Sequence, residues 1–573
     1  MDNATGNTAT RQKTAGKRGA LWFAGIVLAG VAGFLVWVGV TNARNPEEPV
    51  TLTVLAGSEL RSVVENPEVA ESLRRSTGVT LVPTYAGTLQ GAESVVGGSP
   101  KCDDGAGKQV DCDLAWFSSD RYMNLLFEER KAENPSASRP WAASTGETGR
   151  SPVVLGVKPA AAQRLGWEEG STVPWTQIAD AAEAGELSFF MTNPAASNSG
   201  FSALVSVASA FHDSAAPITV EEIDDAALTG FFSGLVRTAG SSGWLSREFT
   251  ASQDEADALI NYESELVALN QSGDLTENLV IVYPDEVVYA DYPLTQIDAA
   301  HGDTFAGIDS WLDETATQEL LTRVSYRRPQ SASDALPDAA IPKADPNPVA
   351  LPEDLNTADR LIDNYLKDYR DPANTIYVLD DSRSMAGTRI NQLQQAFGDL
   401  TGNDTSVTGQ FARFREGERI SIMPYARKPG TIDTFPLEDP ESSPAELDPI
   451  RDYVRTRMSA EGDATAIYEA LAVAYRDIAS DTTTAEGYYT SIVLMTDGEN
   501  NAGASLRSLA AFEAAFEQEG WADLGVPVFV VMLGDDRQAV ADVTRLAELT
   551  GGRTFDAARN SIASAFKDIR GYQ

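Results

Sequence analysis

The chain has 573 residues, 84 of them acidic against 44 basic, for a net charge of −40. That balance excludes polyanions, both nucleic acid and acidic membrane surfaces, as partners of the surface at large. Two histidines and two cysteines leave almost nothing for zinc or Ser-His-Asp chemistry, and the length exceeds what one core fills, so two or three domains are expected.

The first element is Leu21–Val40 (LWFAGIVLAGVAGFLVWVGV), 20 uncharged and mostly apolar residues. As a helix it has the length to span a bilayer. Arg11, Lys13, Lys17 and Arg18 precede it and Glu47 and Glu48 follow, so the tail 1–20 is expected in the cytoplasm and the bulk outside the cell. A cleaved signal peptide is the alternative. The run is longer than a signal core, and the exit VTNARN is a poor cleavage site, which favours an uncleaved anchor.

Residues 50–330 alternate strands and helices. Val50–Ala56 ends in Gly57-Ser58, Val79–Tyr85 in Ala86-Gly87-Thr88, and Asp113–Phe117 in Ser118-Ser119. Leu187–Thr192 runs into Asn193-Pro194-Ala195-Ala196-Ser197-Asn198-Ser199-Gly200. Hydroxyls and glycines thus recur where strands end and helices begin, positions whose free N–H groups suit polar or anionic ligands. Each hydroxyl taken alone can equally be a helix cap. Between these strands, Cys102 and Cys112 flank a short polar loop, and outside the cytoplasm such a pair is most simply a disulfide. Asp103, Asp104 and Asp111 beside them match no EF-hand spacing.

This stretch resembles a type 2 bacterial extracellular substrate-binding protein, two α/β lobes hinged about a cleft. The resemblance is carried by N-P-x-x-S-x-S-G at 193–200, Tyr262-Glu263-Ser264-Glu265, Tyr283-Pro284-Asp285, Ala290-Asp291-Tyr292-Pro293 and the closing Trp311–Pro329. It implies a small polar or anionic solute at Ser58, Thr88, Ser119, Ser197 and Ser199.

Residues 331–371 read as a linker. Ser331–Pro352 is rich in Pro, Asp and Ala and reads as extended. Thr357–Tyr369 reads as a helix with Leu361, Ile362, Tyr365 and Leu366 on one face, which predicts packing against a domain.

The last region, 372–573, opens on the apolar strand around Ile376, Val378 and Leu379, ending in Asp380-x-Ser382-x-Ser384. Two later segments add oxygens. Gly462-Asp463-Ala464-Thr465 precedes an amphipathic helix with Ile467, Leu471, Ala474 and Ile478 on one face. Ser491–Thr496 is a second apolar strand ending in Asp497-Gly498. Arg419–Tyr425 and Val526–Leu533 are further strands, and 553–555 is an edge strand after a glycine-stopped helix. The alternation predicts a mostly parallel sheet covered on both faces, with ligands at the C-terminal ends of its strands. Hard oxygens without nitrogen or sulfur suit Mg²⁺, Mn²⁺ or Ca²⁺. A capping role for Asp380 and Ser382 is the alternative, and it leaves Thr465 and Asp497 unexplained.

The three parts together resemble the metal-ion-dependent adhesion site (MIDAS) of von Willebrand factor type A domains. The resemblance implies a doubly wound Rossmann-like fold and a divalent cation. Ser382, Ser384 and Thr465 would touch the metal, with Asp380 and Asp497 acting directly or through water. Arg383 departs from the pattern, standing where a small residue is usual.

The expected architecture is an α/β protein. A cytoplasmic tail and one transmembrane helix precede a two-lobed domain at 50–330, a linker and a type A domain at 372–573. The expected role is non-enzymatic, a membrane-anchored extracellular protein that binds a protein partner through the metal and a solute in its cleft. A solute receptor of a transport system and a cell-envelope enzyme subunit or assembly factor are the alternatives.

Overall fold

The computed structural model describes residues 50–212, 216–330, 340–481, 487–557 and 561–573. The expected spanning helix Leu21–Val40, the tail before it and residues 331–339 of the linker lie outside the described residues. Among the described residues no helix is long and apolar enough to cross a membrane.

The first lobe is built on a five-stranded sheet ordered Val79–Tyr85, Val50–Ala56, Leu114–Trp116, Leu294–Gln296, Ala143–Ser144. The first three strands run parallel, and Leu294–Gln296 pairs antiparallel with Leu114–Trp116. The second lobe's sheet centres on Ser151–Val157, buried along its whole length, flanked antiparallel by Ala258–Tyr262 and Val280–Pro284. Phe189–Thr192 and Leu235–Ala239 extend it in parallel. The chain therefore crosses between lobes near 145–150 and again near 291–293. At the second crossing Tyr292 is fully buried with a φ of 51°. A left-handed tyrosine is strained backbone. Its carbonyl is held by Trp116 Nε1 at 2.9 Å and Thr148 Oγ1 at 2.5 Å.

A buried ion pair ties the crossings together. Arg328 donates to both oxygens of Glu263, from Nε at 2.7 Å and Nη2 at 2.6 Å, and Tyr283 OH donates to the same carboxylate. Glu263 is fully buried and Arg328 is 5 % exposed. Three separated segments noted in the sequence, around 263, 283 and 328, thus meet at one carboxylate. The hairpin of Lys101–Asp103 and Gln109–Asp111 carries the expected Cys102–Cys112 disulfide, with Cα atoms 5.1 Å apart.

The connector is more structured than a spacer. Asn347–Pro348 pairs with Glu286–Val287. Leu355–Asn364 is an α-helix that continues as a wider turn through Tyr369. Its apolar face, Leu361, Ile362, Tyr365 and Leu366, joins the core of the first domain. Tyr122 OH donates to Asp359 at 2.9 Å, and Asn364 Nδ2 to Asp225 at 2.8 Å.

The last region is a six-stranded sheet ordered Asp433–Pro436, Arg419–Tyr425, Ala373–Asp380, Tyr489–Thr496, Val528–Met532, Thr554–Asp556. All neighbours are parallel except the antiparallel edge strand Asp433–Pro436, which the sequence reading lacks. All eight residues of Ala373–Asp380 are buried. Helix Ile467–Ser480 covers one face, burying Ile467, Leu471 and Ala474 as its periodicity predicts.

This region docks on both lobes. On the first lobe, Glu93 accepts from Val407 N at 2.7 Å and Thr408 N at 3.2 Å, satisfying the start of helix Val407–Ala412. On the second, Trp244 stacks on Tyr572 and Arg553 lies over the Trp244 ring at 3.4 Å. One apolar cluster runs from Phe190, Leu245 and Phe249 into Phe529, Phe555 and Ile569.

Two outcomes follow from these contacts. Replacing Cys102 and Cys112 together by Ser should lower stability by about 2–3 kcal/mol on the chain-entropy estimate, read as a lower denaturation midpoint. An unchanged midpoint would mean the hairpin closes without the bond. Glu93→Ala removes a cap across the domain boundary and should lower stability by about 1–2 kcal/mol. An unchanged melting temperature would show that this contact contributes nothing.

Candidate functional site

The residues expected to hold a metal in the last region converge at the C-terminal end of strand Ala373–Asp380. Asp380 is fully buried; its Oδ1 accepts from Ser382 N at 2.8 Å and its Oδ2 from Thr496 Oγ1 at 3.2 Å. Ser382 Oγ lies 2.9 Å from Ser384 Oγ, and Ser384 Oγ donates to Asp497 Oδ1 at 2.8 Å. Four of the five residues thus form one hydrogen-bonded chain across more than a hundred positions. The loop carrying Thr465 is clamped between the other two segments. Arg383 N donates to Gly462 O at 2.7 Å, and Gly462 N to Asp381 O at 3.0 Å. On its far side Thr465 N donates to Asn501 Oδ1 at 2.8 Å, and Asn501 N returns to Thr465 O at 2.9 Å. Thr465 is 4 % exposed.

Burial is the main reason the Asp380 carboxyl is pushed up to about 6, and the Asp497 carboxylate raises it further. Two carboxylates held this close with hydroxyls between them form a set that a hard cation would complete. Arg383 is exposed, so it does not fill the site. The residue that does reach in is Arg389, in the first turn of helix Thr388–Gly398. Its Nη1 donates to Asp497 Oδ2 and, at 3.1 Å, to Ser384 O. No motif spacing marks it; only its place just after D-x-S-x-S hints at it.

A second acidic group lies in the first lobe. Asp113, Asp298 and His301 each bring a ligand atom within 4.8 Å of one another. Asp113 Oδ2 is taken by Thr53 N and Thr53 Oγ1, at 2.7 and 2.8 Å, and Asp113 precedes strand Leu114–Trp116. The group therefore sits at the strand's N-terminal end, away from the cleft.

The expected cleft hydroxyls divide. Ser58 lines a cavity between the lobes, and its Oγ has no hydrogen-bond partner among the described residues. Thr88 Oγ1 lies 3.5 Å from Ser118 Oγ. Ser119 Oγ accepts from Arg121 N at 3.3 Å. Ser197 and Ser199 belong to a buried knot with Thr192 and Ser242, with Oγ–Oγ distances of 2.8 to 3.2 Å around Ser199. The lobes touch in front of that knot, where a Cβ on Gly87 would come within 2.7 Å of Ala196 O. Of the five, Ser58 lines the cavity with a buried, unpartnered hydroxyl, and the hydroxyls of the other four have partners within the protein.

Glu59 and Glu265 line a second pocket beside Ser58. Glu59 is 8 % exposed, and burial raises its carboxyl against the pull of Arg327. Glu265 is pushed up to about 7 by burial and by Glu59. Arg327 stacks on Tyr292 at 3.7 Å.

Comparison with known families agrees with both halves. The bacterial extracellular solute-binding protein family matches residues 52–306. The von Willebrand factor type A domain matches residues 374–567. No curated protein matches. Among solved structures, the sulfate-binding protein SubI from Mycobacterium tuberculosis H37Rv is similar at 16 % identity and a TM-score of 0.40, covering 54 % of this chain and 98 % of that one. A periplasmic thiamin binding protein is similar at 10 % identity and a TM-score of 0.41, over 55 % of this chain and 95 % of its own. A ferric binding protein from Campylobacter jejuni is similar at 14 % and 0.36, over 55 % and 95 %. The chain therefore joins a bacterial extracellular solute-binding domain to a von Willebrand factor type A domain.

Proposed function

We propose that this is a membrane-anchored extracellular binding protein whose type A domain takes a protein partner through a divalent cation, while its first domain holds a small solute. The observation that carries the reading is the hydrogen-bonded chain Asp380–Ser382–Ser384–Asp497, with the Thr465 loop clamped beside it. Its donors are all oxygen, and the protein itself presents only two carboxylates. Mg²⁺, Mn²⁺ or Ca²⁺ fits that set, and a Mg²⁺ shell leaves room for waters or one carboxylate from a partner. Asp380, Ser382, Ser384, Thr465 and Asp497 would hold the ion. Arg389 supplies the positive charge at Asp497 and would have to give way to the ion or share the carboxylate with it.

The anchor is Leu21–Val40, with the described residues outside the cell. The role is binding, with no catalysis. The second reading, a solute receptor of a transport system, draws on the cleft with its unpartnered Ser58 hydroxyl.

Asp380→Asn keeps an oxygen for Ser382 N, so the fold should hold while Mg²⁺ affinity falls by at least about tenfold. Ser382→Ala should lose less. Arg389→Ala removes a competing cation and should raise affinity. Isothermal titration decides, and equal affinity in wild type and Asp380→Asn would end the metal reading. Protease added to intact cells should degrade the region after residue 41; full protection would contradict the topology.

A further inference from the structure

The cavity that Ser58 lines is not enclosed by the solute-binding domain alone. A cavity of about 160 Å³ lies between both lobes, the connector and the type A domain. Two helices from different lobes begin on it. Thr88–Val96 starts at Gly87 in the first lobe, and Ser242–Ala251 starts at Ser241 in the second. Neither start has a side chain accepting from its leading N–H groups. Such ends present free donors and partial positive charge. Ser241 is 7 % exposed, and its Oγ has no partner among the described residues.

The opposite wall brings whole charges. The Arg370 side chain, from the end of the connector, is 5 % exposed. Its Nε donates to Leu366 O at 3.3 Å and its Nη2 reaches Glu418 Oε1 at 3.4 Å, while Nη1 has no partner among the described residues. Arg570, from the last helix, donates to the same Glu418 oxygen at 2.5 Å. Two guanidiniums on the cavity wall therefore share one buried carboxylate, leaving a positive charge in excess. Burial pushes Arg370 down to about 10, which still leaves it charged at neutral pH. Of the other charges on this wall, Lys567 pairs with Asp404, and burial pushes the Asp568 carboxyl up to about 6 against the pull of Arg553. A buried charge without a counter-charge is unfavourable, and an entering anion would remove that penalty.

We propose that this cavity binds a small oxyanion, a carboxylate, sulfate or phosphate group. Its donors would be Arg370 Nη1, Ser241 Oγ and the free N–H groups at the starts of helices Thr88–Val96 and Ser242–Ala251. The inference rests on reading the first domain as a solute binder. It adds that the ligand's charge is met by an arginine of the connector, and that the type A domain closes the same cavity with Thr408, Phe411, Lys567 and Arg570.

The test is isothermal titration of the full chain with sulfate, phosphate and acetate in turn, which separates tetrahedral from planar oxyanions. At least one should bind with one site per chain. Arg370→Gln should weaken it by about tenfold or more, and Ser241→Ala by a smaller factor of about three to ten. Melting temperatures of the ligand-free variants check folding. If Arg370→Gln does not fold, Ser241→Ala alone decides, because it leaves the connector untouched. Oxyanion binding unchanged by both variants would overturn the shared site and leave the solute-binding reading of the first domain standing. No binding of any of the three anions would overturn the inference outright, whatever neutral or cationic solute the first domain takes.

Discussion

The arrangement of the whole molecule depends on one buried carboxylate. Glu418 is 1 % exposed and stands just before strand Arg419–Tyr425. It accepts from Arg570 in the last helix, from Arg370 in the connector and from Arg415 N in its own loop. Arg570 also donates to Ala412 O at 3.0 Å and Arg413 O at 3.2 Å. Removing any one partner of such a set leaves an uncompensated charge in the interior, and that loss exceeds what the intact pair contributes. The end of the connector, helix Ile562–Arg570 and the start of strand Arg419–Tyr425 are therefore held at one point. Their position places Gly571 against the first domain, where a Cβ would come within 3.1 Å of Gly240 Cα and 3.3 Å of Ala196 Cβ. Asn193 Nδ2 and Thr238 Oγ1 then reach the carbonyls of Arg570 and Gly571, at 3.4 and 3.2 Å.

Because the type A domain touches both lobes, it spans the hinge. The first lobe meets it through Glu93 and the second through Trp244, Thr238 and Asn193. Opening the lobes about Tyr292 would break one set of contacts or the other. A solute that prefers the closed lobes would then favour docking, and docking would favour that solute by the same free energy.

What could be read from the sequence follows from how local each feature is. Strands Ala373–Asp380 and Tyr489–Thr496 are covered on both faces, so their buried positions are consecutive and appear as apolar runs. Asp380 and Asp497 sit where those runs stop, which makes them legible. The two-residue and four-residue strands, such as Asp433–Pro436, carry no such signal. The cleft hydroxyls show the limit of local reading. Ser197 and Ser199 sit at a helix start in the expected place, yet Thr192 and Ser242 engage Ser199 from other segments and Ser199 engages Ser197. Arg370 and Arg389 were illegible for the converse reason. A long cation's role depends on its partner, and here the partners lie 48 and 108 positions away. Ser331–Pro352 reads as extended, and where it is described it contributes a short strand pairing rather than a free tether.

Strand direction decides whether the two sites can work together. In the type A sheet, Asp380 and Asp497 stand at the C-terminal ends of adjacent parallel strands. The contacts to the first domain use the other end. Glu418 precedes its strand, Arg553 precedes the edge strand, and Gln573 donates to Thr375 Oγ1 and Ser491 Oγ near the strand starts, both at 2.9 Å. Ala373 and Asp380 are seven residues apart on an extended strand, so at roughly 3.3 Å per residue about 23 Å of sheet separates the docked end from the Asp380 end. Docking on the first domain therefore leaves the Asp380 end of the sheet uncovered by that domain. Any influence of one site on the other must pass along the strands or through the Glu418 cluster rather than by steric overlap.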